Sequence, residues 1–432
     1  AAWSAGGKNS KLNVGRLASA SNSAMLGRYL CEAAKSGFTD TVVNLRAVAP
    51  AQGRPPTRRA NTRVALYALG MGTFAADDPL GAPFRDAIGA RLRAFIESRT
   101  HQLVEVGPQL GALADLALAF TGGGKRLRPS FCWWGHAAIA EPNDPDALLG
   151  AAACLDLLHV SALVHDDVMD ASDTRRGRPA AHRQFETWHA SAGLLGSPEA
   201  FGRAGAILLG DLLLVWSMEL FHASGLSVDA LARATPLLDA MRTEVTCGQF
   251  LDVFAQAEPV GAVDLMALVP RVVEFKTSRY TVIRPLQVGA ALAGADDAAL
   301  AALRAFGSPL GRAFQFRDDV LGVFGEPGLT GKPAGDDLRE GKRTVLVAHA
   351  LELASETAKE RLIGLLGSPE LDAADVATAR EIIVASGALA ATERRIDADR
   401  ALALDALKSA PLRAEAITAL TTLAELSTSR SA

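Results

Sequence analysis

The sequence predicts an all-α protein, and three observations carry that expectation. Ala and Leu are abundant, against only 3 Tyr and 16 Phe in 432 residues, a bias that favours helix over pleated sheet. From Pro79 onward apolar residues recur at i, i+3 and i+4, as in F-R-D-A-I-G-A-R-L-R-A-F-I and L-G-A-L-A-D-L-A-L-A-F, the period of an amphipathic helix. Two further apolar helical runs each end in paired aspartates, Asp166-Asp167 and Asp318-Asp319. With 49% hydrophobic and 21% charged residues the chain can bury a sizeable core, and its length allows one large domain as readily as several average ones.

Composition also excludes. Cys31, Cys132, Cys154 and Cys247 lack C-x-x-C spacing and the eight histidines lack H-E-x-x-H. That argues against a disulfide framework or a zinc site and fits a reducing, cytoplasmic compartment. The net charge of −4 gives no case for nucleic acid. The most apolar span, Ala204 to Phe221, is broken by Asp211 and Glu219, so no membrane-spanning helix is expected.

Residues 1–70 differ from the rest. They hold ten Lys/Arg against Glu32 and Asp40, a balance of +8 that leaves −12 for the remainder. Ser, Gly and Pro are frequent there, no apolar period is sustained, and Met71 offers a plausible start. The expectation is a basic, disordered or non-native leader resembling a transit peptide, followed by a catalytic domain at 71–432.

The next elements in order carry chemistry. T-G-G-G-K-R-L-R-P (121–129) sets Lys125, Arg126 and Arg128 on a glycine-rich loop, a phosphate-binding composition without Walker A spacing. L-D-L-L-H-V-S-A-L-V-H-D-D-V-M-D (155–170) ends in Asp166, Asp167 and Asp170. Like charges four apart repel on a helix, so the pair gains meaning if a hard divalent cation sits between them. Alone, the motif fits a solvated acidic helix end equally well. S-D-T-R-R-G-R-P (172–179) then adds Arg175, Arg176 and Arg178, whose forks match phosphate oxygens.

Farther on, E-V-T-C-G-Q-F-L-D places Gln249 and Asp252 on adjacent helix faces, and V-V-E-F-K-T-S-R-Y carries Lys276 and Thr277. G-R-A-F-Q-F-R-D-D-V-L-G repeats the acidic theme with Gln315, Asp318 and Asp319, and T-G-K-P-A-G-D-D-L-R-E-G-K-R-T adds Lys332 and Lys342. Only six of the 9 lysines lie after residue 70, and four of those six fall in these motifs. Ammonium groups placed only for exposure would scatter over exposed helix faces. Two acidic helix ends ringed by cations describe a site for an amphiphilic diphosphate held through Mg²⁺.

Together these motifs, in this order over roughly residues 80–425, resemble the trans-isoprenyl diphosphate synthase (polyprenyl synthetase) family, most like its short-chain geranylgeranyl members. The resemblance implies a single large antiparallel helical bundle (the isoprenoid synthase type I fold) around a central cavity, usually as a homodimer. It implies that Asp166 and Asp170 bind two Mg²⁺ ions with Asp167 in support, and that Asp318, helped by Asp319, holds a third. Arg175, Lys276, Gln315 and Lys332 would surround an allylic diphosphate (dimethylallyl, geranyl or farnesyl), with Lys276, Thr277, Gln315 and Lys332 as catalytic positions. Lys125, Arg128, His159 and Arg176 would bind isopentenyl diphosphate, and Gln249 would contact substrate. The reaction implied is head-to-tail condensation by ionisation of the allylic C–O bond, attack by C4 of isopentenyl diphosphate and loss of a proton.

One position departs: Gly322 stands where the family usually has a third aspartate, which puts metal affinity there in doubt. For product length, Ser161 and Ala162 are small where short-product members carry an aromatic floor, with Leu158 a candidate floor one turn deeper. The expected product is C20 geranylgeranyl diphosphate, with farnesyl or longer products as alternatives. A class I terpene cyclase would not need Lys125, Arg128 and Arg176, and a non-catalytic regulatory subunit would be expected to lose the first aspartate motif.

Overall fold

The computed structural model describes residues 74–260, 262, 264–326, 335–368 and 370–429. The expectations for residues 1–70 and for Lys332 lie outside them.

Helix boundaries follow local grammar. α1 (Ala82–Val106) and α2 (Gly111–Thr121) lead to the glycine-rich loop and α3 (Leu127–Ala137). Asp144 caps α4 (Pro145–Met169) by accepting from Ala147 N, with Pro145 filling the first position, where no amide is needed. Ser197 and Pro198 start α6 (Pro198–His222) the same way, after α5 (Ala181–Ser191). Ser227 caps α7 (Val228–Ala257) and Asp264 caps α8 (Leu265–Val272). The same helix continues through a π-helical stretch, Val273–Ile283, into α9 (Arg284–Leu292). Then come α10 (Asp297–Phe324), the short α11 (Asp336–Arg339), α12 (Val345–Leu353), α13 (Glu356–Leu365), α14 (Ala373–Ala385), α15 (Ala388–Lys408) and α16 (Ala414–Thr428).

Among the described residues the only strands are β1 (Thr174–Arg175) and β2 (Arg178–Pro179), an antiparallel hairpin. Arg176 and Gly177 at its turn have φ of 54° and 72°, the left-handed pair that a tight two-residue hairpin requires. The bundle is otherwise helical, as predicted.

α4 is its central element. Ala151, Ala152, Ala153, Leu155 and Leu157 are all fully buried, so the helix is apolar on nearly every side. It packs on α6, α3 and α1, while α10 packs on the π stretch and on α15. Both α4 and α6 are long and apolar enough to cross a bilayer, contrary to the expectation from the charges in Ala204–Phe221. In α4, 83% of the most apolar window is buried inside the protein, against 44% in α6. The apolarity of α4 is therefore that of a core helix.

α10 is tied to α15 by charge. Arg312 Nε lies 3.2 Å from both oxygens of the buried Asp399 and its Nη2 lies 2.5 Å from Oδ1, while Arg317 pairs with Glu393 at 2.6 Å. Asp399→Ala leaves a half-buried guanidinium unpaired and is expected to lower stability by about 2–4 kcal/mol in urea unfolding. A change below about 0.5 kcal/mol would show that the pair contributes nothing.

Candidate active site

α4 ends at the mouth of a cavity, and its last turn sorts its three carboxylates. Asp166 faces α7 and the π stretch and lines the cavity, while Asp170 meets Lys342 beside it. Asp167 is buried and anchors a cation instead: it accepts from Arg175 Nε at 2.7 Å, while Arg175 Nη2 lies 3.7 Å from Asp166. The hairpin thus aims Arg175 back across the helix end.

α7 and the π stretch supply the facing wall. Gln249 Nε2 donates to Asp166 Oδ1 at 2.9 Å. Lys276 Nζ donates to Asp252 at 2.6 Å and lies 3.6 Å from Asp166. Burial alone would lower the Lys276 pKa, but Asp166 and Asp252 outweigh it and raise it. The amide of Arg284 bonds back to Arg279 O, five residues earlier. Such wide turns cluster at functional sites, and here one carries both Lys276 and Thr277.

α10, α11 and the segment that follows α11 form the third wall. Thr277 Oγ1 donates to Gln315 Oε1, whose Nε2 donates to Asp319 Oδ1 at 2.8 Å. Asp319 also accepts from Val345 N at 3.3 Å, and burial pushes its pKa up to about 8. Asp318 lines the cavity itself. Lys342 lies 3.1 Å from Asp170 and 3.8 Å from Asp337, and pairs with Glu340. Burial alone would lower the Lys342 pKa, yet Asp337, Asp170 and Glu340 hold it well above the ordinary range. Burial also pushes the Asp170 pKa up to about 6, against the pull of Lys342.

The glycine-rich loop divides its cations. Arg126 turns inward, pairs with the buried Asp156 on α4 and reaches Thr121 O at 2.6 Å. Arg128 donates to Thr281 Oγ1 at 2.7 Å and stacks 4.3 Å over the Tyr280 ring. Arg176 donates to Gly123 O at 3.2 Å. Gly124, at φ 110°, passes so near Arg176 that an added Cβ would lie 3.1 Å from its guanidinium. Arg126, Ala171 and Arg176 are the described non-glycine residues with left-handed backbone, and all three lie in loops at this end of the bundle. That geometry costs roughly 1–2 kcal/mol per residue, a concentration of strain typical of functional loops. His159 is half-buried near Tyr280, its Nδ1 buried without a hydrogen bond. Burial first, and then Arg128, Arg176, Arg175 and Arg126, hold it neutral by lowering its pKa well below the usual histidine range.

Two cavities meet here. The larger, about 720 Å³, is lined by Asp166, Asp318, Asp319, Asp336 and Asp337 with Lys125, Arg175, Lys276 and Lys342, and by Leu163, Val269, Val272, Val273 and Leu321 on its apolar side. The smaller, about 360 Å³, holds Arg175, Arg176 and Arg178 with Gly122, Gly123 and Gln184, and no carboxylate. Leu163 and Arg175 border both. All-oxygen acidic lining suits a hard divalent cation such as Mg²⁺. No three described His, Cys, Asp or Glu side chains converge enough to hold an ion alone. That fits an ion taking one or two carboxylates and completing its shell with water and substrate phosphate.

The residues considered for product length separate. Ser161 is buried and donates to Gly210 O on α6 at 2.7 Å, Leu158 is buried in the core, and Ala162 is half-buried against it. Leu163, which the sequence reading passed over, lines both cavities. Asp156 was missed too. Its signal was a lone acid inside an apolar helix, which has to find a buried partner.

Comparison with known proteins agrees with this geometry. Residues 112–383 match the polyprenyl synthetase family. A geranylgeranyl diphosphate synthase of Mycobacterium tuberculosis is 35% identical over 332 residues, 75% of this chain and 88% of that protein. A geranylfarnesyl diphosphate synthase of Aeropyrum pernix is 32% identical over 63% of this chain and 79% of its own. Among solved structures, a Corynebacterium glutamicum geranylgeranyl pyrophosphate synthase complexed with isoprenyl diphosphate and magnesium is similar, with TM-score 0.78 and 38% identity over 83% of this chain and 100% of that one. On this match of sequence, motif order and fold, the chain belongs to the polyprenyl synthetase family of trans-prenyltransferases.

Proposed function

We propose that the protein condenses isopentenyl diphosphate head-to-tail with an allylic diphosphate in a Mg²⁺-dependent reaction, giving geranylgeranyl diphosphate (C20) as main product. One observation carries this reading: both acidic helix ends line a single cavity that abuts a cationic, carboxylate-free one. Two diphosphates of different roles need that pairing.

Asp166 on one wall, with Asp170 beside it at the end of α4, and Asp318 on the other wall fit up to three Mg²⁺ ions, whose charge would offset that of the departing diphosphate. Arg175, Lys276 and Lys342 stay protonated beside those carboxylates and hold the diphosphate oxygens. Gln315, kept in place by Thr277, completes this wall, and Lys332 is proposed as a further cation for the allylic diphosphate. Leu163, Val269, Val272 and Val273 cover the hydrocarbon end and keep water from the allylic cation. Arg176 and Arg178, with Lys125, Arg128 and His159 around them, take isopentenyl diphosphate. A neutral His159 can share its ring nitrogen with a polar group without adding charge.

The protein is proposed to act in the cytoplasm as a homodimer without a membrane span. Ile207, Leu208, Val215 and Met218 on α6 and Phe250 and Phe254 on α7 are exposed, apolar side chains of the kind that partners cover. Residues 1–70 are proposed to be dispensable for catalysis.

Incubation with Mg²⁺, isopentenyl diphosphate and each allylic primer, followed by sizing of the products, tests the assignment. A predominant C20 product is expected, and chelation should abolish it. No condensation with any primer would overturn the reading. Ala162 lies within about 40° of Asp166 around the helix axis, whereas Ser161 is turned about 140° away. Ala162→Phe is therefore expected to shorten the product. Ser161→Phe has to displace the α6 backbone at Gly210 and should lower the melting temperature instead. An unchanged product from Ala162→Phe would remove it from the length-setting wall.

A further inference from the structure

Gly322 is the position where the second acidic motif lacks a third carboxylate, and its surroundings explain why. A Cβ built on Gly322 would lie 1.9 Å from Asp337 Oδ2 and 2.4 Å from its Cγ. No side chain fits there while Asp337 keeps its place. Asp337 comes from the short helix α11, not from α10 itself. It lines the same cavity as Asp318 and Asp319 and lies 3.8 Å from Lys342, which in turn lies 3.1 Å from Asp170 on α4. Asp337 also accepts a backbone bond from Lys342 N at 2.9 Å, so the turn that holds the lysine holds the aspartate.

We propose that Asp337 supplies the missing carboxylate: α11 inserts it into the space that glycine leaves on α10, one helical turn beyond Asp318. This rests on the Mg²⁺–diphosphate reading of the cavity. Gly322 is then a requirement of the site, and Asp337 a positioning residue that sets its affinity for metal-bound diphosphate. It follows that restoring aspartate at 322 does not improve the motif. Gly322→Asp drives two carboxylates into one space and expels Asp337, with Lys342 losing a partner.

The test is a reciprocal exchange read by binding rather than turnover. Calorimetric titration of Mg²⁺ in the presence of inorganic pyrophosphate is compared for the wild type, Gly322→Asp, Asp337→Gly and the double variant, with circular-dichroism melts as a folding check. Each single change is expected to weaken Mg²⁺–pyrophosphate binding at least tenfold. The double variant, which moves the carboxylate from α11 to α10, is expected to return within about threefold of wild type. Wild-type binding in either single variant, or a double variant no better than the weaker single one, would overturn the inference. If Gly322→Asp does not fold, Gly322→Ala decides instead: its methyl group meets the same carboxylate, so undiminished binding would overturn the inference and a tenfold loss would support it. Failure of the wild type itself to bind Mg²⁺–pyrophosphate would count against the functional reading. Wild-type binding that the variants leave untouched would remove only the role of Asp337.

Discussion

Asp166→Ala is expected to lower Mg²⁺-dependent condensation by on the order of 100- to 1,000-fold, the range seen when one preorganised stabiliser of developing charge is removed. Little thermal stability should be lost with it. Asp166 is where the walls of the cavity meet: Gln249 donates to it at 2.9 Å, Lys276 lies at 3.6 Å and Arg175 at 3.7 Å. Each cation has a second partner, Asp252 for Lys276 and Asp167 for Arg175. Truncating Asp166 therefore strands no buried charge, which is what makes many charge deletions unfold a protein. Asp318→Ala is expected to act in the same direction. Steady-state kinetics with a melting curve on the same preparation separates the two effects. Near wild-type turnover in either variant would refute the assignment of these carboxylates.

Asp156→Ala should do the reverse, costing about 3–5 kcal/mol of stability because it leaves the Arg126 guanidinium buried and unpaired. Arg126 is 5% exposed, and its other bond, to Thr121 O, closes the glycine-rich loop on itself. Losing the anchor on α4 should also loosen Lys125 and Arg128, so the KM for isopentenyl diphosphate should rise in whatever folded protein remains. Urea unfolding of Asp156→Ala and of Arg126→Met/Asp156→Leu checks the cause. The double variant has no orphaned charge and should recover part of the loss. Equal stability of wild type and Asp156→Ala would show that the loop is held by something else.

Much of the site was legible in the chain because its motifs are local. Helix period, caps and paired aspartates at a helix end are set by residues within a few positions of one another. So Asp166, Asp170, Asp318, Lys125, Arg175 and Lys276 could be singled out, and all of them line the larger cavity or contact its walls. What was not legible depends on pairing across long separations. Nothing in T-G-G-G-K-R-L-R-P says that Arg126 turns into the core while Lys125 faces the cavity. That is decided by Asp156, 30 residues away and itself inconspicuous. Nor does the repeat of small residues at 161 and 162 show that Ser161 hydrogen-bonds α6.

Gly322 marks the boundary most clearly. By itself the sequence determined the helical class, the two acidic ends, the cations around them and the gap at this position. As a sequence feature the gap was a defect in a motif. Only the tertiary structure decided that Asp337, fifteen residues on and in a different element, fills it. The reason is physical: a helix fixes which of its own residues share a face, but the space left where a side chain is absent belongs to whatever the fold packs against it.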